Sequence, residues 1–196
     1  MSGSLRIVPT ASAPGTHDHF DLEFGELALR YHDPRRFGCL LWVAQAPEEH
    51  SLLAMLGPEP LTDEFTAEYL FQRSRKRTQT IKQFIMDSHV VVGVGNIYAN
   101  ESLFMARIKP IRKAGTLTRR NCEDLVRDIK FVLNRSIEQG GTTLRDFVGG
   151  DGKPGYFAQQ LLVYGRGGEP CSHCGKALKE VRMTDRTTVY CVDCQK

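Results

Sequence analysis

Hydrophobic and polar positions alternate on a period of two in the first 45 residues, at Leu5 and Ile7; Phe20, Leu22 and Phe24; Leu27, Leu29 and Tyr31; the apolar stretch Cys39 to Val43 then follows as a further strand candidate. Successive side chains of a strand point to opposite faces, so the pattern predicts four strands. Gly25-Glu26 punctuates a hairpin, and Pro9 to Gly15, with two prolines and a glycine, reads as a loop. Four strands are too few for a free-standing β-sandwich, so this segment reads as the back half of something larger.

After Gly57-Pro58-Glu59-Pro60 the period lengthens to that of helices. Thr62 is expected just ahead of a helix carrying Phe65, Tyr69 and Leu70. Thr118 is expected to open an amphipathic helix with Leu125, Ile129, Val132, Leu133 and Ile137 on its apolar stripe. Arg119, Arg120, Arg127, Lys130 and Arg135 form its polar face, and Gly140-Gly141 stops it. Glycine and charge dominate from Gly140 to Tyr156, which predicts a mobile loop. No internal repeat is present. No apolar run approaches the length needed to span a bilayer, and Val90 to Val94 is interrupted by glycine. With 41% hydrophobic and 25% charged residues among 196, the chain reads as soluble, globular and cytoplasmic, with no apolar signal segment and no membrane partner. Nothing calls for a second subunit, so a monomer is expected.

Charge changes that picture, because its sign splits along the chain. Residues 1–70 carry 4 Lys/Arg against 11 Asp/Glu, and residues 71–196 carry 22 against 12, so segments of net −7 and +10 make up the overall +3. The basic part is the expected polyanion surface, with clusters at Arg73, Arg75, Lys76, Arg77 and at Arg107, Lys109, Arg112, Lys113. Such clusters also occur as plain solvated helix faces.

The chain ends in two Cys-x-x-Cys knuckles, Cys171/Cys174 and Cys191/Cys194, with 16 residues between the pairs. Each knuckle brings two thiolates to one face of a tight turn, so the four predict one closed, structural Zn²⁺ site on a β-hairpin. Two disulfides are the rival. The remaining Cys39 and Cys122 sit singly in apolar stretches, as buried thiols do, which does not favour an oxidised framework. Arg186 near the hairpin turn, with Arg182 and Lys179, forms a candidate phosphate grip or a solvated charge cluster.

Val90 to Glu101, VVVGVGNIYANE, places glycines at 93 and 95 ahead of Asn96. A two-glycine turn entering a helix exposes backbone amides, which together with the helix dipole and the Asn96 carboxamide suit a phosphate. A dinucleotide fingerprint fails because Tyr98 occupies a glycine position and no following strand bears a ribose-binding acid. A turn that glycine merely permits at a helix crossing remains an alternative.

In order along the chain stand MSGSLR, HDH (17–19), DPRRFG (33–38), LGPEPL (56–61), VGVGNIYANE (92–101), RSIEQGGTTLRDF (135–147), DGKPGYF (151–157), VYGRGGEPC (163–171) and YCVDCQK. In these motifs the chain resembles the bacterial formamidopyrimidine-DNA glycosylases, bifunctional base-excision repair enzymes with DNA glycosylase and AP lyase activity. The sister family of oxidised-pyrimidine glycosylases shares the helix-two-turn-helix and the ribbon, and the long 140–157 loop favours the purine enzyme. The resemblance implies an α+β fold: a partial β-sandwich remnant over 1–56, a helix-two-turn-helix DNA-binding domain with a lesion-capping loop over 57–157, and a zinc-ribbon finger over 158–196. The implied partner is double-stranded DNA containing an oxidised purine or an abasic site. His17, Arg35, Arg77, Asn96 and Arg186 are implied DNA contacts, with Arg186 also taking part in δ-elimination. Met1, Arg35 and Phe37 match the residues that fill the hole left by the extruded base, a sensible use of side chains because unstacking a base costs about a few kcal/mol.

The resemblance also marks what these residues lack. The family's nucleophile is an N-terminal proline amine followed by a glutamate, and a lysine used in β-elimination lies on a loop further along; Met1 aligns with an internal methionine beyond all three. The expectation is therefore a chain that cannot form the covalent imine by itself, with residues 1–45 prone to instability or aggregation. The competing expectations are a non-catalytic lesion-binding zinc protein and a general zinc-ribbon nucleic-acid binder.

Overall fold

The computed structural model of the chain describes residues 3–44, 46–140 and 161–196 and is a mixed α+β fold. The described residues divide into two compact units, 3–44 with 136–140 and 46–135 with 161–196.

In the first unit, β1 (Ser4–Pro9), β2 (Asp18–Phe24) and β3 (Leu27–His32) form an antiparallel sheet in the order β1-β3-β2, with Gly25 at φ 71° in the β2–β3 turn. Register explains the alternation. Leu5 and Phe20 flank Tyr31, Ile7 and Leu22 flank Leu29, and Pro9 and Phe24 flank Leu27, so the apolar residues make three rows on one face. The opposite face is built around Arg30, which is buried and donates to both carboxylate oxygens of Asp21 (2.9 and 2.7 Å), to the Ala13 carbonyl (3.0 Å) and to the Ser12 carbonyl (2.7 Å). Arg30 thereby fastens the 9–15 loop across the sheet. The apolar face is the exposed one: Ile7 is 53% and Phe24 56% accessible.

Two expectations fail here. Cys39 to Val43 forms no strand, because no strand edge pairs with it among the described residues and a strand exists only within a ladder. Cys39 is consequently exposed and not a buried thiol, and Trp42 is 95% accessible. Cys122, in contrast, is buried as expected.

The second unit is helical with a C-terminal hairpin. Its helices are α1 (Ala67–Ser74), α2 (Ile81–Ile85), α3 (Asn96–Met105) and α4 (Arg119–Glu138) up to Arg135. Each start has a local cause. Thr66, not Thr62, caps α1 by accepting from Tyr69 N (3.0 Å), while the Thr62 hydroxyl donates to the Glu59 carbonyl instead. Thr80 and Gln83 form a capping box on α2, and Thr118 and Asn121 exchange side-chain and backbone bonds at the head of α4. Gly140, at φ 70°, follows the end of α4 as expected, although Ile137 of the predicted stripe is 66% accessible. Phe65, Leu70, Ile81, Phe84, Ile85, Leu103, Leu125 and Ile129 close into one core. Gly57 is required by packing: a Cβ there would land 2.5 Å from the Val90 carbonyl.

The hairpin β4 (Lys179–Met183) and β5 (Arg186–Tyr190) packs on a second, smaller core of Phe104, Val163, Leu178, Val189, Cys171 and Cys191. Phe104 comes from α3 and stacks on His173 (centroids 5.0 Å apart), so one helix serves both cores. The finger is thereby an outgrowth of the helical unit.

Two outcomes are expected. Phe104→Ala should lower the stability of the second unit by about 3–5 kcal/mol in denaturant unfolding, as for other buried aromatics truncated to alanine. The 196-residue chain should also bind an apolar dye, and Ile7→Ser with Leu22→Ser should reduce that fluorescence; an unaltered signal would mean that the sheet face is not its source.

Candidate metal centre and anion-binding surface

The four knuckle sulfurs lie within 4.8 Å of one another, with Cys171 Sγ 3.9 Å from Cys194 Sγ and Cys174 Sγ 3.5 Å from Cys191 Sγ. Tetrahedral coordination with Zn–S of about 2.3 Å sets sulfurs about 3.8 Å apart, whereas a disulfide requires about 2.05 Å. The set fits one structural Zn²⁺ and not two disulfides. Hydrogen bonds from backbone amides fix the shape of the knuckles: Gly175 N donates to the Cys171 carbonyl (2.8 Å) with Gly175 at φ 75°, and Cys191 N donates to Gln195 Oε1 (2.9 Å). With four thiolates and no open position, such an ion holds structure and activates no water.

Buried side chains of the helices tie the finger to them, and pattern reading singled out none of the three described next. Glu101, buried in the second half of α3, accepts from three consecutive backbone amides, Leu162 N (2.7 Å), Val163 N (3.0 Å) and Tyr164 N (2.8 Å). Burial pushes its carboxyl above the ordinary glutamate range, and the three N–H groups with Arg166 offset part of that. Asn100 Oδ1 accepts from Val189 N (2.8 Å) in β5, while its Nδ2 donates to the Asn96 carbonyl (2.7 Å). Lys82, buried on α2, donates to the Thr187 carbonyl (2.8 Å) and to Thr188 Oγ1 (2.7 Å). Burial, then the nearby Arg186 charge, pulls the Lys82 ammonium down to about 8. At the chain end Gln195 Nε2 donates to the Ile108 carbonyl (2.8 Å), and Lys196 pairs with Arg107 and Lys109 through the backbone.

Arg186 is exposed and opens β5, immediately after the Thr184-Asp185 turn. Asn96 is half-buried at the first position of α3, directly after Gly95. Asn100 links them, since it bonds Asn96 on one side and lies 3.5 Å from the Thr187 carbonyl on the other. Lys179 and Arg182 do not both join this group. In the hairpin register Arg186 faces Met183, so Lys179 shares its face while Arg182 points to the other and pairs with Asp185 (3.6 Å). Period-two alternation separates residues 179 and 182 in any strand.

Arg77 is exposed after α1. Its neighbours in the basic run are used structurally, Arg73 donating to the His89 carbonyl (2.8 Å) and Arg75 to the Leu117 carbonyl (2.6 Å). Of the second cluster, Arg112 is tied to Thr116 and Arg107 is exposed at φ 56°.

In the first unit, Asp33 organises the DPRRFG turn. Its carboxylate accepts from Gly38 N (2.9 Å), Tyr31 Oη (2.9 Å) and Arg35 N (3.3 Å), and the Gly38 amide leads the contacts that hold it below the usual carboxylate range. A side chain at Gly38 would run into Tyr31 Oη. This turn displays Arg35 and Phe37, the guanidinium 5.3 Å from the ring centroid and the ring 76% accessible, at a pocket of about 300 Å³ that Gly3 and Tyr31 also line. Phe37 is therefore not a core aromatic. His17 is exposed, its ring edge-on to His32 (5.9 Å) and its carbonyl accepting from Asp33 N (2.9 Å). Met1 and the 141–157 part of the predicted capping loop lie outside the described residues. No described helix is long and apolar enough to cross a membrane.

Comparison with known proteins gives three family models in tandem: the formamidopyrimidine-DNA glycosylase N-terminal domain over residues 1–40, the formamidopyrimidine-DNA glycosylase H2TH domain over 56–148, and the zinc finger found in FPG and IleRS over 168–196. A formamidopyrimidine-DNA glycosylase of Cellvibrio japonicus is 75% identical over 196 residues, all of this chain and 73% of the relative. Among solved structures, the MutM (Fpg) protein from Thermus thermophilus superposes with TM-score 0.88 at 37% identity, covering 100% of this chain and 73% of that one. The Lactococcus lactis Fpg in complex with an abasic site containing DNA does so with TM-score 0.88 at 31% identity, covering 100% and 72%.

Glu101→Gln should cost about 2–4 kcal/mol, since it places an NH₂ against amides that need an acceptor, and should expose the 162–164 amides to hydrogen exchange. Lys82 gives a pH test. Because its folded value lies below the unfolded one of 10.5, the fold bears the cost of the charge below about 8 and is relieved of it above. Wild-type stability relative to Lys82→Met should therefore rise from about pH 7 to about pH 10.

Proposed function

The chain belongs to the formamidopyrimidine-DNA glycosylase family, and on that footing we propose that its 196 residues grip duplex DNA at an oxidised purine or abasic site in base-excision repair. The observation that carries this is the Asn96–Asn100–Thr187 link. It sets a helix N-terminus and its carboxamide beside the strand that begins with Arg186, two donors suited to phosphate. The charge balance agrees. Burial first, and the nearby Arg186 charge second, depress the Lys82 ammonium, and a phosphodiester bound at Arg186 would offset that positive charge. That the Lactococcus lactis neighbour was solved with abasic DNA supports the same partner.

In this reading the helical region of 57–157 and the finger of 158–196 contact the backbone through Asn96, Arg186 and Arg77. The 1–56 region contributes His17 and Arg35, with Met1, Arg35 and Phe37 occupying the space of the extruded base. An exposed guanidinium lying against an exposed ring suits a wedge in chemical terms, since both surfaces stack on bases. The loop over 140–157 caps the purine, and the bacterial cytoplasm is the compartment.

For the chemistry, family activity combines removal of the oxidised purine with β- and δ-elimination at the resulting abasic site, and Arg186 takes part in the second elimination. The first step needs an amine at the sugar carbon. Among these residues neither the N-terminal proline nor its glutamate is present, so the isolated polypeptide binds the lesion and does not form the imine. A non-catalytic lesion binder would likewise bind without forming the imine, and supplying the family's N-terminal segment in trans separates the two: restored cutting marks the enzyme reading.

The test is borohydride trapping of the zinc-loaded chain on a duplex with one 8-oxoguanine opposite cytosine, beside an abasic duplex and a gel shift. Lesion-selective shift without a cross-link is expected. A cross-link would mean that another amine replaces the proline, and equal shifts of lesion and intact duplex would reduce the protein to a general binder. Arg186→Ala should weaken binding across sequences and lower the salt slope by about 1.

A further inference from the structure

We infer that Gln83 is a positioning residue for Arg186, acting through the turn of the finger hairpin. The inference rests on the reading of Arg186 as a phosphate ligand. Thr184 and Asp185, the central residues of that turn, both lie in the left-handed region, at φ 45° and 59°. Hairpin turns of this kind favour Asn-Gly, and a β-branched residue at positive φ is strained. Thr184 has a contact that glycine could not make: its hydroxyl accepts from Gln83 Nε2 at 2.5 Å, across 101 positions of sequence.

Gln83 is itself held. Its carbonyl oxygen accepts from Thr80 N (3.2 Å) and Thr80 Oγ1 (2.9 Å) in the capping box, so only the NH₂ group is left to reach outward. A capping box accepts glutamate equally well. The amide nitrogen is the part that the box does not use, and it is the part that meets the finger. The adjacent Lys82 grips the hairpin at the Thr187 carbonyl and Thr188 Oγ1. The short helix α2 thus holds the chain at 184 and again at 187–188, and Arg186 lies between the two grips. A turn held in this way presents the guanidinium already placed, which removes ordering cost from phosphate binding.

The experiment measures affinity of the zinc-loaded 196-residue chain for a duplex bearing a tetrahydrofuran abasic analogue, together with thermal midpoints. The proteins compared are wild type, Gln83→Ala, Thr184→Gly, Arg186→Ala and the Gln83→Ala/Arg186→Ala pair. Gln83→Ala should weaken binding about five-fold, the loss carried by one ordinary hydrogen bond, and should have no further effect once Arg186 is gone. Thr184→Gly relieves the turn while deleting the acceptor, so it should weaken binding by a similar factor with the midpoint unchanged or raised. A purely structural role would move the midpoint and not the affinity. Wild-type affinity in Gln83→Ala or Thr184→Gly would overturn the inference, as would an undiminished Gln83→Ala effect in the Arg186→Ala background. If Arg186→Ala alone binds as wild type, the phosphate reading of Arg186 fails, and the strut that acts through it fails too.

Discussion

Two adjacent side chains in the body of α3 supply acceptors for backbone amides that the finger cannot satisfy itself. Glu101 takes the amides of Leu162, Val163 and Tyr164, and Asn100 takes that of Val189. Each buried amide left without a partner costs about 1–3 kcal/mol, so these bonds oppose any displacement of the finger more firmly than apolar contact, which tolerates sliding. Successive helix residues point about 100° apart, which lets neighbours in sequence serve two separate finger segments. The direction in which Arg186 projects follows from that anchorage.

Metal and helix divide the work. Structural zinc sites contribute about 10–16 kcal/mol in finger peptides near neutral pH, enough to determine whether the knuckles and hairpin form at all. They say nothing of where the hairpin points. Orientation comes from Asn100, Glu101, Lys82, the Gln195 bridge to the Ile108 carbonyl and the insertion of Phe104. The cost of that arrangement is a buried ammonium at Lys82 beside Arg186. A surface that carries excess positive charge and fixed donors is organised in advance for an anion.

Much of this was legible in the residues. Cysteine spacing announces the metal site, the 3.6-residue stripe announces α4, and the glycine turn announces a helix opening at Asn96, because each signal is local and each element forms from local causes. The signal failed where the cause is distant. Cys39 to Val43 has the apolar composition of a strand and none of its pairing, since a ladder needs a second edge. Thr62 and Thr66 are equivalent as cap residues, and only the position of Tyr69 N distinguishes them. Lys82, Gln83, Asn100 and Glu101 act on residues about 60 to 106 positions away, and no periodicity records that. A polar run, Asn100-Glu101-Ser102, in the body of a short helix that ends Leu-Phe-Met was the available clue. The split of Lys179 and Arg182 to opposite faces was also readable from parity alone.

The central claim is that the finger is anchored by buried backbone-accepting side chains on α3. Native-state hydrogen exchange of the zinc-loaded chain measures it most directly. The amides of Leu162, Val163, Tyr164 and Val189 should exchange only with global unfolding of the helical unit, with the same free energy as the core amides of α3. Exchange of those four amides at markedly lower free energy, while α3 stays protected, would mean that the finger undocks independently and that its orientation is not set by Asn100 and Glu101.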